Sequence, residues 1–397
     1  MHSHPTHLDR SIQATSQDAI RAKAAAVSSG YYQDPFVSHY LPAASPLPTL
    51  GMTPGNGLSR LGSPPPTANR RPPVQPIIKR GTHARVACMD RAIAAFLNLF
   101  ADRFDDMEGV QVVILGAGKD TTFCRLQADL LLTPVTPLPS SCSLRWFEID
   151  HEVIVREKAA NILDKPNVFP LKLSGQTDNA ATFEFKMADS KKSSCQNASY
   201  HLVSHDLRND PNHLMGHLKA IGLNEALPTL FVMECVQMYL PESSSQTLLR
   251  CISDLSQSFL ILYEPILGND PFGRVMETNL KAAGVAHEDS CLVKTRTLSQ
   301  HLQKLQQVGK GDDGTAGFTL ATGCDMWSAY ETIITLEQRQ KANKCEFLDE
   351  LEEWVMIMKH YCFIAAASAS TGATGRSFCS IGESSPVGFL KGKCETL

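Results

Sequence analysis

Short apolar runs rich in Val, Ile and Leu alternate with amphipathic stretches along most of the chain, the pattern of a parallel sheet covered on both faces. The runs Val110–Leu115, Leu144–Ile149, Tyr200–Ser204, Thr229–Met233, Phe259–Tyr263, Phe318–Ala321 and Tyr361–Ala365 read as seven strands. Apolar positions recur at helical spacing in Thr121–Leu130, His151–Leu163, Pro211–Ile221, Pro241–Gln257 and Pro271–Ala283. Elements in this order predict an α/β fold with a seven-stranded, mostly parallel, doubly wound sheet. Gln17–Ser28 and Ala84–Phe104 read as helices that precede the first strand and lie across its open end.

Elsewhere the pattern breaks down. Residues 41–76 hold ten of the 23 prolines, interleaved with Gly and Ser, and so predict a flexible insertion that buries no core. Residues 1–16 are expected to be disordered. A low-complexity stretch from Ala365 to Ser385 predicts a tail over 367–397, and Gly309 to Gly317 reads as an enlarged surface loop. One core domain, 77–366, with an N-terminal cap at 17–40, accounts for the rest.

Composition narrows the classes. At 397 residues, 43% hydrophobic, the chain can bury one α/β core. Its net charge of −4 supplies no field that would gather nucleic acid or an anionic membrane, so neither partner is expected. The 12 cysteines are scattered without a CxxC pair, as thiols in a reducing compartment are. With no apolar stretch long enough to span a bilayer and no signal-like N-terminus, a soluble protein of the cytoplasm, or of cytoplasm and nucleus, is expected. The final Cys394-Glu395-Thr396-Leu397 has polar residues where a prenylation box has aliphatic ones.

The sharpest local signal is Ile114-Leu115-Gly116-Ala117-Gly118-Lys119-Asp120, a Gly-x-Gly between an apolar strand and a helix. Glycines there let backbone approach a ligand closely. A dinucleotide fingerprint would put glycine at 121, where this chain has Thr121, so a nucleoside is favoured over a pyrophosphate. Acids recur at the following strand ends, Asp150, Asp206 and Glu234. They suit a ligand carrying a ribose diol, a base amine and an ammonium; each could equally cap the helix that follows. His213 and His217 share a helix face without the acid a zinc protease would place between them, and no metal is expected. His201 and His205 flank a strand and read as packing or helix-entry residues.

Taken with Gly30-Tyr31-Tyr32-Gln33-Asp34-Pro35-Phe36, Arg80-Gly81-Thr82-His83-Ala84-Arg85-Val86, Asp206-Leu207-Arg208, Glu234-Cys235-Val236 with Tyr239, and Glu346-Phe347-Leu348-Asp349-Glu350, these segments resemble the leucine carboxyl methyltransferases. The resemblance implies a class I S-adenosylmethionine-dependent methyltransferase fold with an N-terminal helical cap, and 77–366 as its catalytic domain. It further implies S-adenosyl-L-methionine as cofactor. The implied acceptor is the C-terminal leucine α-carboxylate of a protein phosphatase 2A catalytic subunit, whose holoenzyme assembly the ester would regulate. Carried over, Asp150 holds the ribose, Asp206 and Leu207 face the adenine, and Gly116 and Gly118 form the turn, with Gly116 along the methionine portion. Lys23 and Arg85 neutralise the methionine carboxylate, with Glu234 beside them. Tyr239 is either a core residue with a satisfied hydroxyl or a group near the transferred methyl; Arg80 or Arg85 steers the incoming carboxylate.

The chemistry asks for no general base, because an α-carboxyl with a pKa of roughly 3.3–3.7 is already ionised at neutral pH. It asks for placement and exclusion of water. The competing readings are a tRNA wybutosine-type methyltransferase, which normally carries a repeat domain after its catalytic half, a small-molecule O-methyltransferase, and a silent cofactor-fold module. A monomer is expected.

Overall fold

A computed structural model describes residues 7–41, 73–101, 107–139, 141–177, 181–188, 195, 197–308, 317–379 and 395–396. Two long helices come first, α1 (His7–Ser28) and α2 (Pro76–Phe100), and then β1 (Gly109–Leu115), α3 (Thr122–Gln127), β2 (Ser143–Asp150) and α4 (Glu152–Asp164). Next come a hairpin of β3 (Leu171–Thr177) and β4 (Thr182–Met187), then β5 (Ala198–Ser204), α5 (Pro211–Ala220), β6 (Thr229–Glu234), α6 (Glu242–Ser253) and β7 (Ser258–Pro265). The chain continues through α7 (Pro271–Ala282), α8 (Cys291–Lys294), α9 (Leu298–Gln307), β8 (Phe318–Asp325), α10 (Met326–Thr332), α11 (Leu336–Cys345) and α12 (Leu351–Met358). It closes with β9 (Tyr361–Ser368), α13 (Gly372–Cys379) and a short β10 (Glu395–Thr396).

The strands form one sheet in the order β10-β8-β9-β7-β6-β1-β2-β5-β4-β3. Five central strands, β5, β2, β1, β6 and β7, run parallel. β9 and β8 add antiparallel on one side and the β4–β3 hairpin on the other. All seven predicted strands are present, and β3, β4 and β10 make the described sheet ten-stranded rather than seven-stranded. The hairpin escaped prediction because β3, with alternate residues exposed, lacks the unbroken apolar run that marks a strand buried on both faces.

Every position of β1 is buried, and its side chains alternate between two cores. Val112 and Ile114 join a cluster with Phe96, Phe123, Trp146 and Tyr200 beneath α2, whereas Val113 and Leu115 join Phe147, Phe231, Leu249 and Leu302 beneath α5, α6 and α9. The strand order reverses beside β1, where β2 and β6 flank it, which opens a crevice at the carboxyl ends of these strands.

Three expected boundaries are corrected. Helix α1 begins at His7, inside the segment expected to be disordered, and α2 begins with Pro76 at its first turn rather than at Ala84. Residues 367–379 complete β9 and form α13, whose Phe378 packs edge-on against Phe259 and Phe96 at ring-centroid distances of 5.2 and 6.4 Å. Small residues make this possible: Gly375 sits where a Cβ would lie 3.1 Å from Ala367 Cβ and 1.9 Å from Thr371 Oγ1. Most of the proline-rich 41–76 segment and the Gly309–Gly317 loop lie outside the described residues. No described helix is long and apolar enough to cross a membrane.

Candidate active site

The turn after β1 is built for close approach. Gly116 takes φ +69° and Gly118 φ +56°, values that favour glycine. Both Gly116 and Ala117 donate their N–H to the Ile149 carbonyl, at 2.8 and 3.0 Å. A Cβ on Gly116 would stand 2.6 Å from Val236 Cγ2, so conformation and space both demand glycine.

The strand ends on either side supply acids. Asp150, closing β2, accepts the Gly118 N–H at Oδ2 (2.6 Å) and the His151 N–H at Oδ1 (2.7 Å). Burial raises its pKa despite these donors. Asp206, beyond β5, accepts the Arg208 N–H at 3.0 Å and the Arg208 guanidinium at 2.6–3.1 Å. Burial opposes its charge, but the Arg208 contacts prevail and its pKa is lowered. Both acids therefore serve local turns and line the cavity, and neither caps the helix that follows it: the N-caps of α4 and α5 are His151 and Asp210. Each Asp150 oxygen retains acceptor capacity beyond its one bond, whereas the Arg208 contacts place two donors on each Asp206 oxygen.

Cations enter from the two N-terminal helices. Lys23 of α1 reaches Asp120 Oδ1 at 3.1 Å and Glu234 Oε1 at 4.0 Å; Arg85 of α2 lies 2.9 Å from Glu234 Oε1. The Arg85 Nε–H is not aligned on that oxygen and has no hydrogen-bond partner, so the guanidinium keeps a buried donor to spare. Its face covers the Tyr263 ring at 5.7 Å. Burial works against the charge of Lys23 and of Arg85, and the carboxylates beside them outweigh it and raise both pKa values. For Asp120, burial is likewise overcome, by Lys23, Lys158 and Arg125, and its pKa is lowered. Lys158, itself buried, holds the Asp120 carbonyl at 2.5 Å and pairs with buried Glu148.

All nine sequence-predicted residues, Lys23, Arg85, Gly116, Gly118, Asp150, Asp206, Leu207, Glu234 and Tyr239, line one cavity of about 400 Å³. The Tyr239 hydroxyl donates to Thr15 Oγ1 at 3.2 Å, and burial pushes its pKa up to about 12. Arg80 is not there. It is buried against the Asn343 side chain (2.6 Å) and the carbonyls of Ala342 and Glu346, which leaves Arg85 as the member of the Arg80–Arg85 pair that reaches the cavity. His201 packs, stacked on Phe147 at 4.7 Å, and His217 hydrogen-bonds Thr182 Oγ1 at 3.2 Å, whereas His205, also read as a packing or helix-entry residue, lines the cavity. Sequence reading missed Thr15, Ser16, Asp120 and Tyr361 as lining residues. Only Asp120, inside the glycine motif, carried a visible signal.

A doubly wound sheet with its glycine turn at the strand-order reversal, acids on the neighbouring strand ends and a helical cap is the architecture of an α/β protein that takes a nucleoside-bearing ligand. Comparison with known proteins narrows that class. A sequence model of the leucine carboxyl methyltransferase family matches residues 11–253. Similar proteins named leucine carboxyl methyltransferase 1 occur in Yarrowia lipolytica, 27% identical over 91% of this chain and 98% of that protein, and in Bos taurus, 29% identical over 93% of each. A third, from Cryptococcus neoformans, is 29% identical over 89% of this chain and 92% of its own. The chain belongs to the leucine carboxyl methyltransferase family.

Proposed function

We propose that the protein methylates the α-carboxylate of a C-terminal leucine on a protein phosphatase 2A catalytic subunit, with S-adenosyl-L-methionine as donor. The observation that carries this reading is the convergence of Lys23 and Arg85, the latter with a buried, unaligned Nε–H, on the cavity that Asp150 also lines.

The residues suit that donor group by group. Lys23 and Arg85 would hold the amino-acid carboxylate, for which a guanidinium offers a fork of donors. Glu234 and Asp120 would balance those cations, with Glu234 also beside the ammonium. Asp150 would accept from the ribose hydroxyls with the lone pairs its backbone donors leave free, and Leu207 and Asp206 would meet the base by its face and its amine. Gly116, with no side chain, leaves room for the methionine stem. S-adenosylmethionine supplies an electrophilic sulfonium methyl when bound.

The protein's own work is positioning. A carboxylate acceptor is ionised at neutral pH and needs no base, so the walls must align it and exclude water. Tyr239 keeps its proton at neutral pH and can donate to an acceptor oxygen. An ester formed there would bear on phosphatase holoenzyme assembly. The test is transfer of labelled methyl to purified phosphatase catalytic subunit and to the same subunit lacking its terminal leucine. Alkali-labile label on the intact subunit alone is expected. Label on both, or on neither despite cofactor binding, would move a tRNA or small-molecule acceptor ahead.

A further inference from the structure

Glu264, at the end of β7, is 1% exposed and lies outside the cavity lining described above. Its carboxylate accepts three consecutive backbone N–H groups, from Val236 (2.9 Å), Gln237 (2.8 Å) and Met238 (3.4 Å). The residue before them, Cys235, is held at φ +55°, a left-handed value that is uncommon without glycine. Successive N–H groups that face one point form an anion-binding concavity, and here the anion is built into the chain.

The geometry points to Glu264 as a positioning residue for methyl transfer, gathering the 236–238 turn so that Val236, Met238 and Tyr239 form one wall of the cavity. The inference rests on the reading that this cavity takes S-adenosylmethionine. Val236 is the side chain that closes over Gly116, and Cys235 through Leu240, Gln237 excepted, line the cavity. Gln237 turns the other way, where its side-chain oxygen accepts from Ser245 Oγ of α6 at 2.9 Å. Releasing the three N–H groups would free the strained Cys235 and loosen that wall.

Ionising the residue does not add to fold stability. The groups that face it are Cys235 just after β6, Tyr239 of the turn, Tyr361 and Cys362 of β9, and Lys304 of α9, the last being the cation that favours its charge. Burial outweighs Lys304 and the three N–H donors and pushes its pKa up to about 7. The folded chain therefore binds this proton more tightly than the unfolded one, and stability falls as pH rises from the ordinary carboxyl range to about 7. An ionised group that weakens the fold while it shapes a site wall fits a functional role better than a structural one.

Binding of S-adenosylhomocysteine to the full chain, measured by calorimetry from pH 6 to 8 alongside thermal melting, tests this. Wild type is expected to bind more tightly as pH rises through about 7. Glu264→Gln keeps the shape but loses the charge, and is expected to weaken binding roughly tenfold at pH 8, the scale of a charge-assisted hydrogen bond. It should also flatten the pH dependence, and because its amide must turn the NH2 toward one donor, the most distant being the Met238 N–H at 3.4 Å, a modest fall in melting temperature at pH 8 is expected. Wild-type binding that is flat across this range, or a variant that melts lower yet binds like wild type, overturns the inference. A wild type that binds no S-adenosylhomocysteine at any pH would instead remove the reading of the cavity itself.

Discussion

Replacing Asp150 with asparagine separates ligand binding from local structure. Both carboxylate oxygens already accept backbone N–H groups, from Gly118 at 2.6 Å and His151 at 2.7 Å. An asparagine must turn its NH2 toward one of these donors and leave a half-buried N–H unpaired, at a cost of about 1–3 kcal/mol in fold stability. The charge-assisted bond to a ribose hydroxyl becomes an ordinary one or is lost, about 1.5–3 kcal/mol, which is roughly a 10- to 150-fold weaker Kd. Asp150→Ala, which opens space for water to cover the orphaned N–H, should lose similar affinity with no larger loss of stability. Urea denaturation of the free protein reads the first quantity, and titration with S-adenosylhomocysteine reads the second. If Asp150→Asn bound within about threefold of wild type, the ribose assignment would fail, because a charge-assisted bond is worth more than that.

Further outcomes follow from the same structure. Arg85→Lys should weaken S-adenosylhomocysteine binding about tenfold or more, because an ammonium replaces a fork of donors and leaves the Tyr263 face; equal affinity by titration would sink the carboxylate assignment. Removing residues 1–16 takes away Thr15 and Ser16 from the cavity rim, so methyl transfer should fall while the urea midpoint stays near that of the full chain. Phe378→Ala should cost about 3–5 kcal/mol by denaturant unfolding, which a dispensable tail would not show. Asp120 has its folded pKa lowered, so its stabilisation is present above the ordinary carboxyl range and disappears as pH falls below it. The melting difference between wild type and Asp120→Asn should accordingly be level above about pH 5 and shrink in stronger acid.

The parts of the fold legible in the sequence were those whose signal is local. β1 is apolar at nearly every position because both its faces are covered, and that run is visible without knowing its neighbours. β3 lies at the sheet edge with alternate residues exposed, so its character comes from pairing with β4 and no apolar run announces it. Helix α13 sits in a stretch of Ala, Ser, Thr and Gly whose composition resembles a linker. Its place depends on Phe378 meeting Phe259 and Phe96 across the chain, which composition does not record. In the site, Gly116 and Asp150 stood out because their demands are set by the adjoining strand. Thr15, Ser16 and Glu264 carry no local mark: two gain a role from the way α1 crosses the crevice, and the third from a turn one strand away.

The charge arrangement around the cavity explains why so many buried and part-buried ions are tolerated here. Lys23, Arg85, Lys158, Asp120, Glu234 and Glu148 form a nearly neutral group linked through Lys23–Asp120, Arg85–Glu234, Lys158–Glu148 and the Lys158 contact to the Asp120 carbonyl. Breaking one partner of the fully buried Lys158–Glu148 pair strands a buried charge, typically at about 3–5 kcal/mol, whereas the intact pairs contribute little net stability. The arrangement is therefore poor as a device for stability and good as one for preorganisation: each cation is fixed before a ligand arrives, at no further cost in side-chain ordering. Arg85 shows this most clearly. Its guanidinium is held by Glu234 and the Tyr263 face, yet its Nε–H is left unaligned in a buried position, where an arriving carboxylate gains more from a hydrogen bond than it would in water.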